Sequence, residues 1–346
     1  MPTFSNFLEF RCVCPGDVQY LDILPESNSH EAMDRFFIPM KCLKLGVLIF
    51  LFVTVQPEVL GVIISSGDGI GNTTAPADDP GWSNVGARGS SLSGVYLGNR
   101  WVLTGFHVGA GSLTLGGTTY SAEAGTSVRL TNPGGLGLSA NTDLLMYQLS
   151  TDPLLPSLTI SSSNPATGTD VTLIGNGRNR SATKIFWDDA TNPWTETIEA
   201  GSDREGFKYD SGNTMRWGEN TIGDIGGNVL VNVDAGFGNV LSLFTVFDEI
   251  GKTHEAHAAT GDSGGAMFLK NGASWELAGI MLAVSSITGQ PGSTAVFGNG
   301  TFAASLAVYR DQINTIMAVP EPHEWMLASL LLCGGVIYFR RQCFVA

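Results

Sequence analysis

The chain predicts a mainly β fold, a barrel or sandwich closed by one C-terminal helix, and three observations carry that expectation. Glycine is abundant at 44 of 346 residues while charged residues are sparse at 14%. That mixture suits short strands joined by turns better than a helical bundle. Short apolar runs rich in β-branched residues recur between clusters of Gly, Asn, Asp and Pro. A convincing 3.6-residue period occurs at one place, near the C-terminal end of the body.

Taken in order, the predicted strands lie in 92–98, 101–108, 143–149, 170–177, 228–233, 240–247 and 277–284. Turn clusters such as NPGG at 132–135 and NGAS at 271–274 punctuate them. The helix falls in 305–317, where Leu306, Tyr309, Ile313 and Ile316 share one face. The body spans about residues 62–317, and no short-period repeat is visible in it.

The formal net charge of −14 argues against nucleic acid as a partner, because binding phosphates needs a basic face. The five cysteines are Cys12, Cys14, Cys42, Cys333 and Cys343. With none in between, the body must stand on its hydrophobic core, without disulfides or thiolate metal sites. Cys12 and Cys14 have no cluster of partners nearby, so neither a metal nor a cofactor is expected.

Both ends read as addresses. Segment 40–61 has two lysines, an unbroken apolar run from Leu45 to Val55, and a polar bend at Gln56-Pro57-Glu58. This is the layout of a signal peptide, too short for a comfortable membrane span, with Val59 and Gly61 placed for cleavage before Val62. A signal belongs at the extreme N-terminus, so 1–39 is expected to be a mis-assigned leader, with translation starting at Met40. Segment 319–346 carries Val319-Pro320-Glu321-Pro322, an apolar stretch from Trp325 to Phe339, and Arg340-Arg341. It resembles the PEP-CTERM sorting tail of Gram-negative envelope proteins. That resemblance implies export across the inner membrane and transient insertion by a short transmembrane helix, with the arginines on the cytoplasmic side. It further implies processing by an exosortase-type enzyme and release or display at the cell surface or extracellular matrix.

The stretch HAATGDSGGAMFL at 257–269 encloses Ser263 between glycines and an aspartate. A serine hydroxyl becomes a useful nucleophile only with a positioned base and a site for the oxyanion. The string also fits the G-x-S-x-G elbow of another hydrolase fold. The histidines are His30, His107, His254, His257 and His323. The elbow order needs a histidine after Ser263, and only His323 in the tail qualifies. An order of acid, histidine, serine needs Asp68, Asp78 or Asp79, none in a strand context. Histidine, acid, serine is satisfied by His107, Asp143 and Ser263.

Trp101-Val102-Leu103-Thr104-Gly105-Phe106-His107-Val108 is similar to the W-V-L-T-A-A-H-C of trypsin/chymotrypsin-like serine proteases. Thr142-Asp143-Leu144-Leu145-Met146-Tyr147-Gln148-Leu149 resembles their D-I-A-L-L-x-L, and Gly261 to Gly265 matches G-D-S-G-G. The resemblance covers 62–317 and implies two six-stranded antiparallel β-barrels with a C-terminal helix. It implies Ser263 as nucleophile, His107 as base, Asp143 as its orienting acid, and the N–H groups of Gly261 and Ser263 as oxyanion hole. It also implies a specificity pocket with His257 at its floor, and Leu282 and Val284 where the family usually carries Ser and Gly. Arg or Lys selectivity then lacks its counter-charge. A protonated His257 would favour acidic side chains, whereas the alternative is a loop histidine filling space. Val108 and Ala259 stand where the family has half-cystines, and Ala266 where it has proline.

The 120 positions from Asp143 to Ser263 exceed the family's usual spacing, and the excess is expected in 184–222. That segment is either a loop bordering the cleft or an elaborated hairpin. The resemblance further implies that Asp262 pairs with an amine freed at Val62. The expected function is a secreted or surface-directed endopeptidase acting on protein or peptide substrates, with signal peptidase and the sorting enzyme as processing partners. The rival is a catalytically idle protease fold serving in surface or matrix adhesion. A metal enzyme built on His254 and His257 lacks the H-E-x-x-H arrangement and a third ligand.

Overall fold

The computed structural model describes residues 9–10 and 61–318. The leader, signal and sorting-tail expectations at 1–39, 40–61 and 319–346 fall almost wholly outside these residues. Among the described residues no helix is long and apolar enough to cross a membrane.

Two short strands come first, β1 (Glu9–Phe10) and β2 (Ile63–Ile64). Seven more then build the first sheet: β3 (Val85–Arg88), β4 (Leu92–Gly98), β5 (Trp101–Gly105), β6 (Leu113–Leu115), β7 (Thr118–Tyr120), β8 (Val128–Thr131) and β9 (Asn141–Gln148). Their order is β7-β6-β3-β4-β5-β9-β8, antiparallel throughout.

The second half supplies β10 (Asp170–Gly175), β11 (Arg178–Arg180), β12 (Ile185–Asp188), β13 (Thr195–Thr197), β14 (Arg204–Asn213) and β15 (Arg216–Thr221). It continues with β16 (Val231–Val233), β17 (Val240–Val246), β18 (Ala256–His257), β19 (Ala266–Asn271), β20 (Ser274–Ser286), β21 (Thr294–Val296), β22 (Gly300–Ser305) and helix α1 (Leu306–Met317). The second sheet runs β15-β10-β19-β20-β22-β17-β16, with β1 paired to β20. The protein is therefore mainly β with two large antiparallel sheets and a C-terminal helix. Each large sheet carries at least one strand more than the expected six, and neither hydrogen-bonded order closes on itself.

The apolar patterning explains the layering. On β4, β5 and β9 the residues Val95, Leu97, Leu103, Leu144 and Met146 join one core with Ile174, Phe268, Leu277, Ile280 and Leu282 of the second sheet. Their alternates Tyr96, Val102 and Tyr147 point into a separate core with Leu113 and Leu115. Successive side chains of a strand face opposite ways, so a strand buried on both faces must be apolar throughout. All five residues of β5 are buried accordingly. The second sheet has its own interior, including Val171, Leu173, Leu243, Met267 and Met281. Fully burying each large aliphatic chain contributes roughly 1.5–3 kcal/mol, and these cores hold the body together with no cysteine between 42 and 333.

Helix α1 buries Leu306, Tyr309 and Ile313 against the core between the sheets, with Ile316 partly covered. The Tyr309 hydroxyl donates to Asn132 Oδ1 at 2.8 Å and accepts the Leu241 N–H at 3.0 Å, so one side chain touches both halves. The long segment 184–222 forms a β-structured elaboration: β12, β13 and β14 pair in series, with β11 and β21 also on β14. Trp187, Trp194 and Val296 give it a small core of its own. Its last strand, β15, returns to the edge of the second sheet.

Candidate active site

His107 lies just beyond the end of β5, where Val108 N–H and Gly109 N–H bond back to the Gly105 carbonyl and tighten the chain into a turn. The antiparallel register sets Gly105 opposite Leu144, and the Phe106 N–H donates to the Asp143 carbonyl. That pairing brings the Asp143 side chain under the turn. Its Oδ1 accepts the backbone N–H of His107 at 3.0 Å, and its Oδ2 lies 2.7 Å from His107 Nδ1. Asp143 is only 2% exposed. With both carboxylate oxygens accepting, the imidazole proton sits on Nδ1 and the Nε2 lone pair is free to act as a base. A Cβ on Gly105 would lie 3.0 Å from His107 Cε1 and 3.1 Å from Leu282 Cδ2, so the ring rests in the space that a side chain would take.

Ser263 sits on the loop between β18 and β19. Gly264 has φ +85, and a Cβ there would fall 2.1 Å from the Ser93 carbonyl oxygen and 2.2 Å from Thr104 Oγ1. The Ser93 N–H donates to the Ser263 carbonyl at 2.9 Å, and the Gly264 N–H to the Met281 carbonyl at 2.8 Å. The loop is thereby pressed between β4 and β5 of one sheet and β20 of the other. This seats the Ser263–Gly264 link at the seam, against Ser93 of β4 and Thr104 of β5, the strand that runs into the His107 turn. No hydrogen bond joins Ser263 Oγ to His107 among the described residues. Such bonds are often long before substrate arrives.

The backbone donors of the loop divide in two. The N–H groups of Asp262, Gly264 and Gly265 bond to the carbonyls of Ala259, Met281 and Asp262. Those of Gly261 and Ser263 have no acceptor among the described residues. Gly261 holds φ +103, and a Cβ there would meet Asn213 Nδ2 and the Ser91 carbonyl at 2.6 Å, so only glycine fits. Its carbonyl is turned to Ser93 Oγ, which donates at 3.2 Å. Two unpaired backbone donors, one on the serine itself and one two residues before it, are what holding an oxyanion requires.

Asp262 is fully buried. Its Oδ2 accepts the Ala259 N–H at 2.7 Å, whereas its Oδ1 has no partner among the described residues. Burial pushes its carboxyl up to about 7, against the pull of backbone N–H groups and Arg216. The buried Arg216 donates from Nη1 to the Gly61 carbonyl at 3.0 Å, leaves Nη2 unpartnered, and is lowered to about 10 by burial. Gly175 lies between these groups. A Cβ on it would strike Asp262 Oδ1 at 2.2 Å, and one on Gly61 would strike the Gly175 carbonyl at 2.6 Å. Val62, next in the chain, has no exposure at all.

The expected pocket residues are placed less openly. His257 on β18 pairs with Ile63 of β2 and is 1% exposed. Its Nδ1 meets Thr301 Oγ1 at 3.0 Å, and its ring stacks on Phe247 at 5.6 Å. Burial drives its pKa down to about 3, so the ring is neutral at physiological pH. This burial fits the alternative of a histidine that fills space better than a charged His257 that selects acidic side chains. Val284 pairs with Thr301 and is partly exposed, while Leu282 is buried beside Gly105. His254 is separately engaged, with Ser66 Oγ at 3.2 Å and the Trp217 ring at 4.9 Å. It shares no site with His257. Val108 and Ala259, at the absent half-cystines, are both buried. Ser93 and Thr104, which hold the Ser263 loop, were not foreseen; a small hydroxyl within an apolar strand is their only trace in the sequence.

No family model matches the chain, and no curated protein does. Solved structures do match. Neuropsin, a serine protease of mouse brain, is 18% identical with a TM-score of 0.43, covering 71% of this chain and 98% of its own. Human heparin binding protein is 15% identical with a TM-score of 0.45, covering 73% and 98%. A protease of M. tuberculosis in its active form is 14% identical with a TM-score of 0.40, covering 73% and 92%. The chemistry of the site rests on its own geometry.

Proposed function

We propose that this protein is a serine endopeptidase that cleaves protein or peptide substrates through an acyl-enzyme. The carrying observation is the two-point hold of Asp143 on His107, together with unpaired N–H groups at Gly261 and Ser263 on the nucleophile loop. In the forward step Ser263 Oγ attacks the scissile carbonyl carbon as its proton passes to His107 Nε2. The negative charge that develops on the carbonyl oxygen is received by the two N–H groups. Each such donor supplies about 3–4 kcal/mol of barrier lowering. Collapse breaks the C–N bond, and the departing amine takes the proton from His107. Water, deprotonated by the same nitrogen, then hydrolyses the ester and restores Ser263.

Asp262 with its unpartnered Oδ1, and the full burial of Val62, support a further element of this reading. An ammonium freed at Val62 supplies the partner that Asp262 Oδ1 lacks, and ionising Asp262 then fixes the Gly261–Ser263 backbone. The segments 40–61 and 319–346 support export across the inner membrane, with the tail as a temporary anchor before an exosortase-type enzyme acts. Fluorogenic peptide libraries incubated with the purified body test the activity. Hydrolysis by the wild type that disappears in Ser263→Ala supports the reading. A folded wild type that cleaves nothing favours the idle surface protein instead.

A further inference from the structure

The residues around the His107–Asp143 pair include an arginine, Arg129, and two phenylalanines, Phe106 and Phe237, for which the reaction itself has no use. The Phe237 ring lies 5.1 Å from the His107 imidazole, tilted by 32°. Phe237 sits in the turn between β16 and β17, flanked by Gly236 and Gly238 at φ 91 and 105. A Cβ on Gly238 would lie 2.4 Å from the Asn141 carbonyl oxygen, so the turn is pressed onto the start of β9. Asn239 fixes its far side: its N–H donates to Ser139 Oγ at 2.8 Å and its Oδ1 accepts the Ser139 N–H at 2.9 Å.

Arg129 on β8 fastens the near side. Its Nη2 donates to the Phe237 carbonyl, and its Nε donates to the Thr142 carbonyl at 2.8 Å. Its guanidinium also stacks 3.5 Å from the centre of the Phe106 ring. Phe106 precedes His107 and Thr142 precedes Asp143 in the chain. A single planar cation therefore touches the neighbour of the base, the neighbour of the acid, and the residue whose ring covers the base. Only a guanidinium has the forked donors and flat face for all three contacts.

We propose that Arg129 is a positioning residue that holds Phe237 as a wall beside the imidazole, and that this wall restricts the substrate side chain abutting His107 to small residues. The inference rests on the endopeptidase reading and deepens it. Two rings 5.1 Å apart leave no room for a further side chain between them. A substrate side chain entering on that side of the imidazole meets the Phe237 ring, so the wall is expected to admit glycine, alanine or serine there and to exclude larger residues unless the turn is displaced.

A positional-scanning peptide library tests this with wild type, Phe237→Ala, Phe237→Tyr and Arg129→Lys. Wild type favours small residues at one substrate position. In Phe237→Ala the ratio of kcat/KM for leucine over alanine rises about tenfold or more at that position alone. Arg129→Lys shifts the same ratio in the same direction, with KM moving more than kcat, and Phe237→Tyr retains the wild-type profile. A fluorophosphonate probe on Ser263, which carries no peptide side chain, is run in parallel. Wild type that labels, with a profile unchanged in Phe237→Ala or broadened equally at every position, overturns the wall alone. Arg129→Lys that melts earlier but keeps the wild-type ratio reduces Arg129 to a structural part and overturns its positioning role. Wild type that fails to label overturns the endopeptidase reading and the wall with it.

Discussion

Replacing Asp143 by asparagine changes one atom and removes a function that the structure assigns to both carboxylate oxygens. Oδ1 accepts the His107 N–H at 3.0 Å and Oδ2 meets Nδ1 at 2.7 Å. Asparagine offers one acceptor and one donor. If its oxygen keeps the backbone N–H, its NH2 faces Nδ1 and forces the ring proton onto Nε2, where no proton can then be taken from Ser263. If its oxygen faces Nδ1 instead, the NH2 opposes a backbone donor at the former hydrogen-bond distance. The first arrangement is favoured, because the backbone donor cannot change its character. The expected loss in kcat is about 10⁴-fold, or roughly 5 kcal/mol of barrier. The assay is kcat on the best library peptide, with thermal melting alongside to confirm that the variant remains folded. A folded Asp143→Asn enzyme within about tenfold of wild type refutes the tautomer reasoning, because the wrong ring proton must cost more than that.

Gly261→Ala forces φ +103 on a residue with a Cβ and places that atom 2.6 Å from Asn213 Nδ2 and the Ser91 carbonyl. Displacing one oxyanion donor in this way lowers kcat by about 10²–10³-fold with KM little changed; an equal rise in KM instead assigns Gly261 to ground-state binding. His257 makes a stability prediction. Its folded pKa of about 3 lies below the ordinary 6.5, so its contribution is full above pH 6.5 and is lost as pH falls towards 3. That is worth on the order of 5 kcal/mol; urea melts of His257→Gln from pH 7 to 3 show a shallower acid decline, and matching slopes for the two proteins contradict the burial account. Protein starting at Val62 is expected to exceed by at least about tenfold in kcat a form in which Val62 is preceded by extra residues, since only the first presents an amine to Asp262. Equal activities remove the amine from the scheme and leave Arg216 as the cation whose charge acts on that carboxylate.

Parts of this site were open to sequence reading because their chemistry is local. Gly261 to Gly265 must be glycine-rich to pass between two sheets, and Trp101 to Leu103 must be apolar because both faces of the strand are covered. The C-terminal helix was legible for a similar reason: Leu306, Tyr309 and Ile313 present one stripe to the core. The strand Arg216–Thr221 was hidden because its alternately buried positions are Arg216, Gly218 and Asn220, satisfied by tertiary hydrogen bonds and contacts rather than by apolar packing. The burial of His257 was hidden likewise, since its neighbours Phe247, Ile63 and Thr301 come from distant strands. Phe237 gave no signal at all. A Gly-Phe-Gly turn reads as a loop until the fold sets it beside His107.

Covalent labelling of the serine measures the central claim most directly. Purified protein treated with a fluorophosphonate and mapped by peptide mass spectrometry is expected to carry one adduct, on the peptide containing Ser263. The adduct is expected to be absent in Ser263→Ala and strongly reduced in His107→Ala. A folded wild-type protein that gains no adduct, or gains it on another residue while Ser263 stays unmodified, contradicts the account.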